Sequence, residues 1–112
     1  MTRKQPADPV TARELALYAI NDSNTHHGCT AAVIANLARK RRKGTYNPTL
    51  APKAWRYVAD LAAKRYTHEF GTPGARIFSP ADRDMAALEI MEHYEEAVAE
   101  AAAVRTQPAD IA

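Results

Sequence analysis

Five consecutive cations, Arg39, Lys40, Arg41, Arg42 and Lys43, are the residues here whose type and spacing bear most directly on chemistry, and Gly44 and Tyr46 follow them closely. Guanidinium and ammonium groups contact phosphate and aromatic rings stack on bases, so the run has the composition of a nucleic-acid contact. Lys53, Arg56 and Lys64 continue the positive pattern downstream. The candidate binding set is therefore Arg39, Lys40, Arg41, Arg42, Lys43, Lys53, Arg56 and Lys64, with Tyr46 as the aromatic expected to be exposed and able to stack. The downstream helix offers no Asn or Gln on its polar face to read base edges, so contact would run along a DNA or RNA backbone with little sequence preference. A charge run is also how a solvated face reads, and cations suit the unpaired carbonyls of a helix C-terminus. About three would serve that end, and five exceed it.

Other chemistry is thinly represented. His26, His27 and Cys29 lie close together, with His68 and His93 elsewhere, but the spacing fits no zinc pattern and there is one cysteine. No metal, cofactor or catalytic residue is expected, and nothing marks Cys29 as an activated nucleophile. With no second cysteine there is no intramolecular disulfide, which fits a reducing compartment. Carboxylates at helical spacing late in the chain, Glu89, Glu92 and Glu96, form an acidic face. They give the alternative reading, a protein-interaction module or inhibitor whose acidic helix meets a host protein or a second copy.

The elements that must hold these residues read as helices. Thr11 to Glu14 forms a capping box, with Leu15, Tyr18 and Ala19 on one face behind it. Asn21 to Thr25 compete for backbone hydrogen bonds, and Gly28 reads as a break. Val33, Ile34, Leu37 and Ala38 share an arc of about 140°, Arg39, Arg42 and Lys43 point away from it, and Arg41 lies near its edge. Gly44 is a left-handed terminator. Asn47 and Pro48 read as cap and first position of the next helix, with Pro52 as an irregularity that would move the regular start later. Trp55, Val58, Ala59, Ala62 and Tyr66 form a stripe flanked by Tyr57 and Leu61, wide enough for a central helix with neighbours on two sides. Ser79, Pro80 and Asp82 open the last helix. Its inner face is Ala87, Ile90, Met91, Tyr94, Val98 and Ala101, and Asp82 groups with the glutamates on the outer face. Its alanine-rich end is expected to project, fray or meet a second copy.

The expected fold is all-α, a small bundle of about four helices near 11–22, 30–43, 48–70 and 80–103. Residues 1–10 read as a flexible arm, 11–104 as one helical domain and 105–112 as a disordered tail. No apolar block follows Arg3 and Lys4, so no signal peptide is expected, nor is a membrane span. Charge is divided along the chain. Residues 1–76 hold 13 Lys/Arg against 5 Asp/Glu, a net of +8, and residues 77–112 hold 2 against 8, a net of −6. The first two thirds should therefore present a positive surface and the last third a negative one, facing partners or each other.

Asn21-Asp22, Ile34, Asn36-Leu37, Arg39-Lys40, Lys43-Gly44-Thr45-Tyr46, Tyr57-Val58, Ala63-Lys64-Arg65-Tyr66 and Glu69-Phe70-Gly71 together resemble a group of small uncharacterised tailed-bacteriophage proteins. The resemblance spans roughly residues 13–71. Phe78, Arg83 and Ala86-Ala87 also resemble the group's C-terminal segment. The chain departs from the group at Thr25-His26, where Leu-Tyr is usual, and at Ala32, where Pro is usual. No activity comes with the resemblance. It implies a phage accessory protein acting in the cytoplasm of a bacterial host, and it argues against an enzyme.

Overall fold

The computed structural model describes residues 6–71 and 78–104, the side chain of Val104 excepted. Within them the chain forms α1 (Pro9–Asn21), a single turn α2 (Ser23–Thr25), a π-helical turn (His26–Thr30), α3 (Ala31–Lys43), α4 (Ala51–Phe70) and α5 (Pro80–Val104), with no strand. The small all-α bundle of four long helices is the fold. Of the expected flexible arm over 1–10, Asp8 caps α1 and Pro9 and Val10 belong to it, while residues 1–5, the expected tail over 105–112 and the expected tucking of Ile77 lie outside the described residues.

Boundaries differ from the sequence expectation where a local bond outcompetes the pattern. α1 starts at Pro9 because Asp8, not Thr11, is the cap: its carboxylate accepts from the Val10 N–H at 3.0 Å and the Thr11 hydroxyl at 3.1 Å. The Asp8 N–H in turn donates to Asp82 Oδ1 at 2.8 Å, which ties the start of α1 to the start of α5. α1 ends at Asn21, and Asp22 caps the next turn by accepting from the N–H and hydroxyl of Thr25 at 3.0 and 2.7 Å. Gly28 does not break the chain. It sits inside the π turn, closed by the Ala31 N–H donating to His26 O, and the turn runs directly into α3. A methyl group on Gly28 would lie 3.3 Å from Leu61 Cδ2, so glycine lets the π turn press against α4.

α4 begins at Ala51 rather than 48. Pro52 has no amide to donate to the carbonyl of residue 48, so residues 48–50 close a separate turn around Asn47. In that turn Asn47 Oδ1 accepts from the Thr49 N–H, and Asn47 O from those of Leu50 and Ala51. α5 opens with the expected box, Ser79 Oγ accepting from the Asp82 N–H and Asp82 Oδ2 from the Ser79 N–H. These bonds and the one from Asp8 bury Asp82, which does not join the outer acidic face.

α5, not α4, is the central element. It packs against α1, α3 and α4, whereas α3 and α4 barely touch each other. Small side chains permit close approach, with Ala16, Ala19, Ala59, Ala62, Ala63, Ala86 and Ala87 all buried. Leu15, Val58, Phe78 and Ile90 fill the space between them, and Trp55 stacks on Tyr94 at 5.5 Å with planes 5° apart. The alanine-rich end of α5 does not project free of the bundle as far as Ala101: Val98 is buried and Ala101 O receives Arg42.

An aromatic cluster closes the far end, with Tyr18 edge-on to Tyr66 and both against Phe70. Burial, and then the hydrogen bond donated to Glu69 Oε1 at 2.6 Å, hold the Tyr18 phenol well above its ordinary range. A raised acid stabilises the fold while its neutral form persists. Its contribution is complete below about pH 10, the unfolded tyrosine value, and is lost as pH rises toward the folded one. Tyr18→Phe should therefore flatten the fall in stability between roughly pH 10 and 12, measured by urea denaturation across that range.

Candidate functional site

The basic run ends α3 in a Schellman motif. Gly44 takes φ 74°, its N–H donates to Arg41 O at 3.2 Å, and the Thr45 N–H donates to Lys40 O at 2.9 Å. Two of the helix's last carbonyls are thus satisfied by backbone, and the cations are not needed for that task.

The five diverge. Arg39, Lys40 and Lys43 are exposed. Arg41 is half-buried at the core edge, as its angular position implies, with its guanidinium 4.3 Å from the centre of the Tyr46 ring. Tyr46 is consequently half-buried and covered, and is not the exposed stacking aromatic. Arg42 does not face solvent with Arg39 and Lys43. It is half-buried and its Nη1 donates to Ala101 O at 3.4 Å, three residues from the end of α5. α5 has no basic residue in its own last turn, so α3 supplies the cation that its terminal carbonyls favour.

Arg56 is also engaged. It donates to Asp60 at 2.9 Å and to Asp84 at 2.5 Å, and Arg83 reaches the same Asp60 at 3.4 Å. Burial alone would lower the Arg56 pKa, but the two carboxylates outweigh it and hold the guanidinium charged. Lys53 and Lys64 are exposed. Among the described residues, Arg39, Lys40, Lys43, Lys53 and Lys64 make no ion pair.

Two of these cations meet across a groove. Ala32, Val33, Asn36 and Lys40 from α3 face Leu50, Lys53, Ala54 and Tyr57 from the start of α4, with Gly28 and Cys29 of the π turn also in the lining. The spacing explains the alignment: Val33, Asn36 and Lys40 fall within about 60° on α3, and Lys53, Ala54 and Tyr57 within about 100° at the start of α4, beside its cap residue Leu50. The groove is about 580 Å³ and contains no carboxylate. Four other surface hollows each contain one or more: Asp60 and Asp84, Glu89 and Glu92, Glu95, and Glu89 again. Tyr57, at 70% exposure, is the exposed aromatic of the region. It had been placed beside the buried stripe, and the signal that finds it is its sequence offset from Lys53, one helical turn away. Asn36 is likewise exposed on the basic helix.

Elsewhere the chemistry is muted. Cys29 is half-buried, and burial pushes its thiol up, away from the reactive thiolate. His26 and His27 meet edge to face, and no three His, Cys, Asp or Glu side chains among the described residues group as a metal site. Of the acidic set, Glu89 is paired with Arg13 at 3.2 Å, whereas Glu92 and Glu96 are exposed. No helix among the described residues is long and apolar enough to cross a membrane.

Because Arg42 serves α5 rather than a ligand, Arg42→Ala should destabilise the fold by about 1 kcal/mol, a few degrees in Tm. Arg39→Ala should stay within about 0.5 kcal/mol; thermal denaturation followed by circular dichroism compares the two. Comparison with protein-family models, curated proteins and solved structures finds no match to this chain.

Proposed function

We propose that this chain is a phage accessory protein that acts by binding, not catalysis. On this reading it holds nucleic acid with little sequence preference, through the exposed end of α3 and the groove between α3 and α4. The observation that carries the reading is the placing of Lys40 and Lys53 on two helices around one carboxylate-free groove. Arg39 and Lys43 extend that positive surface past the groove's end. Arg41, Arg42 and Arg56 support it structurally and are not its contacts, because their guanidinium groups are already engaged. The residues resembling tailed-phage proteins, including Lys43-Gly44-Thr45-Tyr46, build this same corner, which supports a role in a bacterial cytoplasm.

A second reading, docking of a basic host protein or a second copy on the acidic helix, has one observation in its favour. Glu92 lines a hollow between α1 and α5 beside the exposed Leu17. Charge reversals separate the two. Under the first reading Lys40→Glu with Lys53→Glu abolishes retardation of nucleic acid at low salt, and Glu92→Lys with Glu96→Lys leaves it intact or strengthens it. Affinity of the unaltered chain should also fall steeply with salt, with a slope of about 0.7 to 0.9 per phosphate neutralised. Absence of retardation at low salt for duplex, single strand and RNA alike would remove the first reading.

A further inference from the structure

Resting on that reading, we infer that the groove between α3 and α4 takes a single strand, with a base laid against Tyr57 and phosphates at Lys40 and Lys53. Three features distinguish this from binding to a duplex. The first is size. The groove is an open one of about 580 Å³, with room for a small organic group but not enclosing it. It suits a nucleotide or two, and a duplex would have to rest on its rim. The second is the lining. Val33 and Ala54 make it apolar between its two cations, which matches unpaired bases flanked by phosphates. A duplex keeps its bases stacked and would offer such a surface only phosphates and sugar.

The third is the direction in which the charge runs out. Tyr57 borders two hollows. On the α3 side lie Lys40 and Asn36, with no carboxylate. On the α5 side Lys53 and Arg56 are offset by Asp60 and Asp84, both of which Arg56 already holds. A phosphate chain meets unopposed positive charge on the first side of the ring and cations already balanced by carboxylates on the second, so the attraction falls off across Tyr57. A broad duplex face would have to cover both hollows and bring its phosphates onto Asp84, which is exposed. An exposed ring beside cations, on a surface that tracks one backbone, is the arrangement by which single strands are held without sequence preference.

The test is fluorescence anisotropy at fixed low salt with a labelled 12-mer of oligo(dT) and a 12-base-pair duplex. The strand should bind more tightly than the duplex. Tyr57→Ala should weaken strand binding by roughly 5- to 100-fold, the range for losing one base–aromatic stack. Its salt slope should not change, because the ring contacts no phosphate. Tyr57→Phe should restore affinity. Lys40→Ala should instead lower the slope by about 0.7. Because Tyr57 is exposed, its replacement leaves the core intact, which circular dichroism of each variant confirms. Duplex bound as tightly as the strand, or an unchanged Tyr57→Ala affinity, would overturn the single-strand inference while leaving nucleic-acid binding in place. Displacement of the strand by poly-glutamate at equal charge would overturn it in favour of an acidic polypeptide. Failure to bind either oligonucleotide would remove the underlying reading.

Discussion

Burial of Trp55 is the constraint on which the architecture turns. The indole is 1% exposed and lies where α3, α4, α5 and the turn at Tyr46-Pro48 converge, in company with Leu37, Met91 and Val98. A ring of that area removed from water is among the largest single contributions to a core of this size. Its face-to-face contact with Tyr94 fixes how α4 lies on α5. α3 closes over it by leaning toward α5, through Leu37, Ala38 and Arg42, rather than toward α4. The gap left between α3 and α4 is the groove. It runs from the π turn, where Gly28 lies close against Leu61, to Lys40. The groove is therefore a by-product of how one large side chain is packed.

Electrostatics then sorts the basic residues into two populations. Arg41, Arg42 and Arg56 each find a partner, respectively an aromatic face, a helix-end carbonyl and a carboxylate pair. Arginine suits such roles because its planar fork can stack and bond at once. The lysines, Lys40, Lys43, Lys53 and Lys64, stay at the surface with Arg39. The +8 and −6 segments are tied in part by Arg13 to Glu89 and Arg56 to Asp84. Exposed pairs of this kind contribute little to stability, about 0–1 kcal/mol each. What they do is hold specific arginines to carboxylates of the same chain.

Much of the scaffold was legible because local rules settle it. Gly44 and the Ser79 to Asp82 box work through neighbours a few residues away, and the periodicity of α3 and α5 marks their inner faces. Two of the failures share a cause, a deciding partner distant in sequence, whereas the start of α1 moved because a nearby cap, Asp8, outcompetes Thr11. Asp82 is buried because Asp8 bonds it across 74 residues, and Arg42 turns from solvent to a carbonyl 59 residues on. Tyr46 is covered by Arg41, five residues before it, and Tyr57 is exposed because α3 stands away from α4. The wide apolar arc on α4 does meet neighbours on two sides, α5 and α1, but nothing in its spacing reveals that α3 stands away from it. The Pro52 displacement of α4 was a local signal, visible in advance as an irregularity but not as a new start.

The account rests on one surface, the carboxylate-free groove with Tyr57 at its wall, acting as the place where a strand lies. The most direct measurement is amide chemical-shift mapping on isotope-labelled protein as unlabelled oligo(dT) is added. The account predicts shifts concentrated at Asn36, Lys40, Lys53 and Tyr57, fading before Asp84 and absent at Glu92 and Glu96. Shifts gathered instead on the outer face of α5, or spread evenly over every exposed lysine, would contradict it.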